Sequence, residues 1–234
     1  MSAVETGTDT GTGTANATPP RAKRLPRAER ERDMMDAAVR TFGQRGYRAA
    51  SMDEIAELAG VSKPLVYLYL HSKEDLFTAC IRREADALLA AVAQAVAPDL
   101  PADRQLWAGL AAFFAHAAEN PDGWAVLHRQ ARTHGEPFAL EVAAMRDTIV
   151  DYVAVLLAAA AREADVDRPG PGEPGERDAV ALAQALVGAA ESLAGWMNDA
   201  ASGPVSAKEA AATLMNFAWV GLGHLMAGER WSPR

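Results

Sequence analysis

The chain has a single cysteine, Cys80, among its 234 residues. An intramolecular disulfide is therefore excluded. Long apolar runs are also missing. The longest uncharged one, Val153 to Ala161, has about half of the roughly 20 residues a membrane helix needs, so no membrane span is expected. No charged-then-apolar leader opens the chain, so no signal peptide is expected and the default compartment is the cytoplasm. Period-two alternation and internal repeats are absent. So are a Gly-x-Ser-x-Gly elbow, a phosphate-binding Gly-Lys-Ser/Thr loop and a complete Gly-x-Gly-x-x-Gly. Gly221 and Gly223 fall inside a predicted helix with no strand before it, which removes the dinucleotide reading. His128 and His134 are six residues apart and do not share a helical face. No cysteine or close carboxylate completes a metal set with them. Neither an enzyme nor a cofactor or metal site is expected.

What is present is apolar and unevenly charged. Half of the residues are apolar and 23% are charged, a composition that supports a sizeable core in one or two domains. The net charge of −8 is split along the chain. Residues 21–83 carry +4, residues from 84 onward carry −10, and the first 20 carry −2. The N-terminal block can approach a polyanion, whereas the C-terminal block would be repelled by one. A protein that coats nucleic acid with its whole surface is excluded.

The first 20 residues are mainly Thr, Gly, Ala and Pro and are expected to form a disordered tail. A basic cluster follows at Arg21, Lys23, Arg24, Arg27, Arg30 and Arg32. It reads either as a solvated run at a helix start or as an arm that touches DNA. Residues 28–44 place Met34 or Met35, Ala38 and Phe42 at helical spacing, and Gly43 and Gly46 suit that helix's end. Ser51 to Glu54 forms a capping box ahead of Ile55, Leu58 and Ala59. Gly60 ends that short helix. Ser62 can cap a third helix, with Pro64 tolerated in its first turn, and Ser72 can cap a fourth that begins at Lys73. Two short helices joined by a Gly-containing turn are a helix-turn-helix pattern. Prolines 98, 101, 121 and 137 punctuate the remainder into predicted helices near 73–97, 102–119, 122–133, 138–164, 178–200 and 206–228. A Pro/Gly-rich loop is expected over 165–177, and Ser206 to Glu209 forms a second capping box.

The segment Gly60-VSKPLVYLYLHSKEDLF, with the capped Met52–Ala59 helix and the Arg27–Tyr47 helix before it, resembles the DNA-binding region of TetR-family transcriptional regulators. The match covers about fifty residues. It implies an all-α fold: an N-terminal three-helix helix-turn-helix domain and a C-terminal helical ligand-binding and dimerisation domain. The expected divisions are a tail at 1–20, a DNA-binding domain at 21–72, and an effector and dimerisation domain at 73–234. The resemblance places DNA contacts on Ser51, Ser62, Lys63, Pro64, Leu65, Tyr67, Tyr69, His71 and Lys73. Many relatives carry Thr or Ser where this chain has Leu65, so one hydrogen-bonding option is lost. Helical spacing alone puts Val66 and Leu70 on the side that packs on the first helix. Leu65 and Leu68 are unusual on the remaining face. They are either covered by a neighbour or in contact with thymine methyl groups.

The resemblance further implies a homodimer through the last two helices that binds a palindromic double-stranded operator and releases it when a small, mostly apolar effector enters. An activator, or a regulator without an effector, is the alternative. Two stripes suit the dimer: Val180, Val187, Ala190, Ala194 and Met197, then Leu214, Phe217, Ala218, Gly221, Leu222 and Leu225. Effector candidates are Trp107, Phe114, His116, Trp124, His128, Tyr152, Glu191 and Trp196, with Phe113 and Met145 beside them. Each reads equally as plain core. Coupling between effector and operator is expected through the helix that starts at Lys73.

Overall fold

A computed structural model describes residues 26–166, 176–199, 201 and 203–226. The expected tail, the basic residues Arg21 to Arg24 and most of the Pro/Gly-rich loop lie outside these, as do the side chains of Leu70, Leu222 and Leu225. The described residues contain no strand.

Helix α1 (Arg27–Arg45) buries Met34, Ala37, Ala38, Thr41 and Phe42 along one side. It ends at Gly46, whose φ of 81° suits glycine and whose N–H donates to the Phe42 carbonyl at 2.9 Å. Gly43 does not end the helix. It lies inside α1 and is buried, because a Cβ there would sit 2.6 Å from the Asp122 carbonyl oxygen. Helix α2 (Met52–Leu58) starts at Ser51, whose hydroxyl accepts the Asp53 N–H at 3.2 Å. Ser51 thus caps the second helical N–H, and neither bond of the expected capping box with Glu54 is seen. Glu54 instead accepts from Arg45 Nε at 2.5 Å. Gly60, with φ 64°, makes the turn into α3 (Lys63–Leu70). Ser62 is the N-cap of α3 but makes no side-chain capping bond. Helix α4 (Lys73–Ala95) begins under a cap from Ser72, which accepts the Asp75 N–H at 3.0 Å.

Helix α4 serves both halves of the chain. Its first turns place Leu76 and Phe77 in one core with Phe42 and Val66, and its later turns pack on α5 (Ala102–Glu119) and α8 (Phe138–Val166). Between α5 and α8 run α6 (Pro121–Ala125), a π-helical turn (Val126–Gln130) and α7 (Ala131–Thr133). Helix α9 (Glu176–Met197) packs on α8, and α10 (Ala207–Met226) on α5 and α9. The expected capping box at α10 forms in both directions: Ser206 Oγ accepts the Glu209 N–H at 3.2 Å, and Glu209 accepts the Ser206 N–H at 2.9 Å. By length and composition one described helix, Asp178–Met197, could cross a membrane. In this fold it is a bundle helix, with Glu191 held by arginines from α7 and α8.

The two expected dimer stripes divide differently. Val187, Ala190, Ala194 and Met197 are buried within the subunit, as is Leu214. They belong to the subunit's own hydrophobic core. Val180 and Phe217 of the stripes are exposed, and so are Val155, Trp196 and Trp219 outside them. A hydrophobic stripe marks an inward or an interfacial face equally well, and only the neighbours decide which.

The seam between the two halves is tight. At Gly43 the opposing atoms are Asp122 backbone, and at Gly123 the Glu84 carboxylate fills the space a Cβ would need. Helix propensity alone would make Gly43→Ala stabilising by about 1 kcal/mol. Backbone across the contact cannot yield, so we expect the opposite sign, a net loss of about 1–2 kcal/mol. Urea unfolding at neutral pH reads this directly as a lower midpoint with an unchanged slope.

Candidate DNA-reading face and effector cavity

The recognition helix α3 is anchored by Val66, which is fully buried. Lys63 is exposed and its ammonium lies 2.9 Å from the Asp53 carboxylate. That hydrogen bond, with the attached charge, raises the Lys63 pKa. Pro64 is exposed, Leu65 is half-buried and Tyr67 is exposed. Tyr69 is half-buried, with the Arg27 guanidinium 5.1 Å from its ring centroid. The chain therefore enters α1 beside the recognition helix. His71 closes α3 with a φ of 34° and is exposed. Lys73 is set apart from the others. Its ammonium lies 4.9 Å from the Tyr47 ring centroid and donates to the Arg48 carbonyl at 3.2 Å, and desolvation lowers its pKa. Ser51 and Ser62 stand at the N-termini of α2 and α3, where free N–H groups favour an anion. Arg27, read from the sequence as part of a possible DNA-touching arm, and Leu68, read as an unusual apolar residue on the outer face, also belong here; Leu68 is 72% exposed.

Behind this domain, α4, α5, α8 and α9 line a part-open cavity of about 350 Å³. Leu88, Leu89 and Val92 line it from α4; Leu106, Leu110 and Phe113 from α5; Met145, Ile149 and Val153 from α8; Leu186 and Val187 from α9. Polar groups are few: Gln105, Thr148, Tyr152 and Glu191. Of the expected effector residues, Trp124, Tyr152 and Glu191 line this cavity. Trp107, Phe114, His116 and Trp196 line neither it nor the cleft beside it. Helix α5 explains the first two. The face carrying Leu106, Leu110 and Phe113 points inward, so Trp107 and Phe114, one position further on, are rotated away by about 100°. Phe114 is fully buried in core. Trp196 is 51% exposed on α9.

His128 lies in the adjacent, more polar cleft of about 770 Å³, which Gln44, Asp122, Arg129, Arg132, Asn198 and Asp199 also line. Trp124 and Glu191 belong to both spaces and form the wall between them. His128 stacks on Trp124 with ring centroids 5.1 Å apart and an interplanar angle of 11°. Gly195 permits this, because a Cβ there would come within 3.2 Å of His128 Cε1. Glu191 accepts from Arg132 at 2.7 Å and Arg146 at 3.4 Å. Helix α1 borders the same cleft. Gln44 donates to Asp122 at 3.1 Å, and the Tyr47 N–H reaches Gln130 Oε1 at 3.4 Å. The expected connection through α4 thus has a second route beside it, through α6 and the π-helical turn. Among the described residues no group of His, Cys, Asp or Glu could hold a metal. Cys80 is buried, and burial pushes its thiol up to about 12.

A helix-turn-helix whose fourth helix runs into the wall of an apolar cavity is the architecture of a ligand-sensing DNA-binding regulator. The chain belongs to the TetR family: residues 34–80 match the bacterial regulatory proteins of the tetR family, and residues 102–221 match the tetracyclin repressor-like C-terminal domain. It is 31% identical over 206 residues to the HTH-type transcriptional activator FasR of Mycolicibacterium smegmatis, covering 88% of each chain. A TetR-like regulator from Rhodococcus sp. RHA1 has a similar crystal structure, with a TM-score of 0.71 and 38% identity over 86% of this chain and 99% of that one. FadR of Bacillus subtilis, solved with stearoyl-CoA, shares the fold at a TM-score of 0.63 and 16% identity, over 86% of this chain and all of that one. The protein is a DNA-binding transcriptional regulator.

His128 gives this site a pH signature. Burial lowers its pKa below the ordinary 6.5; Arg132 and Arg129 act in the same direction, and Glu191 opposes them. The unfolded chain therefore takes up a proton that the folded chain resists. Stability should fall as the pH drops below about 6.5 and level off beneath the depressed folded value. Urea midpoints compared at about pH 5.5 and about pH 7.5 should show this component in the wild type and lack it in His128→Gln.

Proposed function

We propose that the chain is a homodimeric, one-component repressor that binds a palindromic operator and leaves it when an apolar chain enters the cavity among α4, α5, α8 and α9. Residues 21–72 form the DNA-reading part and residues 73–234 the effector and dimer part, and the protein acts in the cytoplasm, on double-stranded DNA. It is a regulator, not a catalyst. The observation that carries the reading is the cavity itself: a part-open, almost wholly apolar space whose wall is the helix that also completes the helix-turn-helix core. A space of this size and lining suits a hydrocarbon chain. Stearoyl-CoA in the Bacillus subtilis neighbour supports an acyl group as the apolar part. The Arg132–Glu191–Arg146 cluster at the wall faces the polar end of such a ligand. Occupation shifts a population between operator-competent and released forms, and the ligand can shift it only by its differential affinity for the two.

Lys63, Tyr67 and Tyr69, with Ser51, Ser62 and the amide ends of α2 and α3, are the proposed phosphate and base contacts, and His71 and Lys73 border them. The exposed apolar group Val155, Val180, Trp196, Phe217 and Trp219 on α8, α9 and α10 is the proposed dimer face. A two-fold dimer presents its recognition helices to half-sites about 34 Å apart or a multiple of that, whole turns of DNA. An activator is the second reading, favoured by the relative named as one. A cell-free reporter under the operator separates the two: stearoyl-CoA raises expression for a repressor and lowers it for an activator.

Selection of random duplexes by the full chain should enrich a palindrome, and no enrichment would reject the operator reading. Lys63→Ala should weaken operator binding by about 1–3 kcal/mol while the folded chain keeps its thermal midpoint, as expected for an exposed side chain. Gly109 lines the cavity and a Cβ there makes only ordinary contacts with Val92 and Val96. Gly109→Leu should therefore fill space without breaking the fold. Operator binding should persist, and release by stearoyl-CoA should weaken at least about tenfold, the scale of 1.4 kcal/mol of lost burial. Fluorescence anisotropy of a labelled operator measures both.

A further inference from the structure

The recognition helix is short of the groups that usually read bases. Over Lys63–Leu70 it has no arginine, asparagine or glutamine, the side chains that pair bidentately with purine edges. Its one cation, Lys63, is held by Asp53. The face turned from the core is apolar. With Val66 buried as the inward mark, a rotation of about 100° per residue points Pro64 and Leu68 most directly outward, with Leu65 at their border. Leu68 is 72% exposed, one of the two most exposed large apolar side chains among the described residues. The edges of this face are polar: Tyr67 and Lys63 on one side, Tyr69 under Arg27 on the other. An apolar ridge between polar edges suits a groove whose rims are phosphates and whose floor carries methyl groups. The positive balance of residues 21–83 suits a polyanion, and the family's DNA-binding domain makes that duplex DNA.

We infer that Leu65 and Leu68, with Pro64, read the operator by packing on thymine 5-methyl groups in the major groove, so that half-site specificity is set by methyl pattern more than by hydrogen bonds. Thymine is the one standard base with an apolar group on that edge. The tyrosine hydroxyls and Lys63 then hold the backbone and the register, as phosphate contacts do elsewhere. This inference rests on the operator reading above.

The test uses the full chain and the selected operator, with each thymine of one half-site replaced in turn by uracil, which deletes only the methyl. At one or two central positions the replacement should weaken binding about fourfold each, the worth of one buried carbon group. In Leu68→Ala the penalty at one of these positions should vanish, and in Leu65→Ala a penalty at the neighbouring position should fall. Leu68 supports nothing in the fold, so its variant should keep the wild-type thermal midpoint. An operator bound equally well with thymine or uracil throughout removes the inference alone. Penalties of the same size in the wild type and both variants also remove it, since other groups would then be sensing the methyls. Absence of any enriched sequence removes the operator reading and this inference with it.

Discussion

Four aromatic rings join the DNA-reading half to the effector half. Phe42 and Tyr47, from α1 and the turn beyond it, meet Phe77 of α4 with ring centroids 4.8 Å away, and Phe77 and Tyr47 meet Phe138 of α8 at 4.8 and 5.1 Å. Beside this cluster α1 and α6 touch backbone to backbone at Gly43. Close-packed matter of this kind transmits displacement without absorbing it. A helix-turn-helix on a flexible linker could not sense what enters a cavity behind it. One seated on a shared core can, because moving α4 or α6 moves the surface on which α1 and α3 rest.

Charge is arranged around the same seam. Arg83 of α4 bridges Asp36 of α1 at 2.7 Å and the buried Glu84 at 2.8 Å. Glu84 in turn fills the space left by Gly123 of α6. A buried carboxylate without a partner would be costly, and Arg83 supplies that partner from its own helix. Further back, Glu191 holds arginines from α7 and α8 at the wall between cavity and cleft. Among the described residues that line the apolar cavity, the one ionised side chain, Glu191, is therefore already paired by the protein.

Much of the fold was legible from local chemistry. Ser72 and Ser206 cap as their spacing predicts, and Gly46 and Gly60 take positive φ where turns were expected. Helix limits near 73, 102, 119, 138 and 207 follow from prolines and caps that act within one turn. Glu54 was misread for an instructive reason. A capping box and an ion pair to Arg45 compete for one carboxylate, and the winner depends on a side chain nine residues back. The cavity lining was legible in part. Trp124, Tyr152 and Glu191 line the cavity, whereas Trp107, Phe114, His116 and Trp196 do not.

The sequence by itself determined the helices, their caps, the recognition segment and the polarity of charge between the two halves. These are local or summed properties that need no knowledge of neighbours. The tertiary structure alone decided which way each helix is turned about its own axis. That rotation sends Val187, Ala190, Ala194 and Met197 inward and leaves Phe217 outside. It makes Gly43 a point of close approach inside α1. It also brings Arg132 to Glu191 across 59 residues of chain. Such pairings follow from the joint packing of helices far apart in sequence, and a periodicity read along one helix has no access to them.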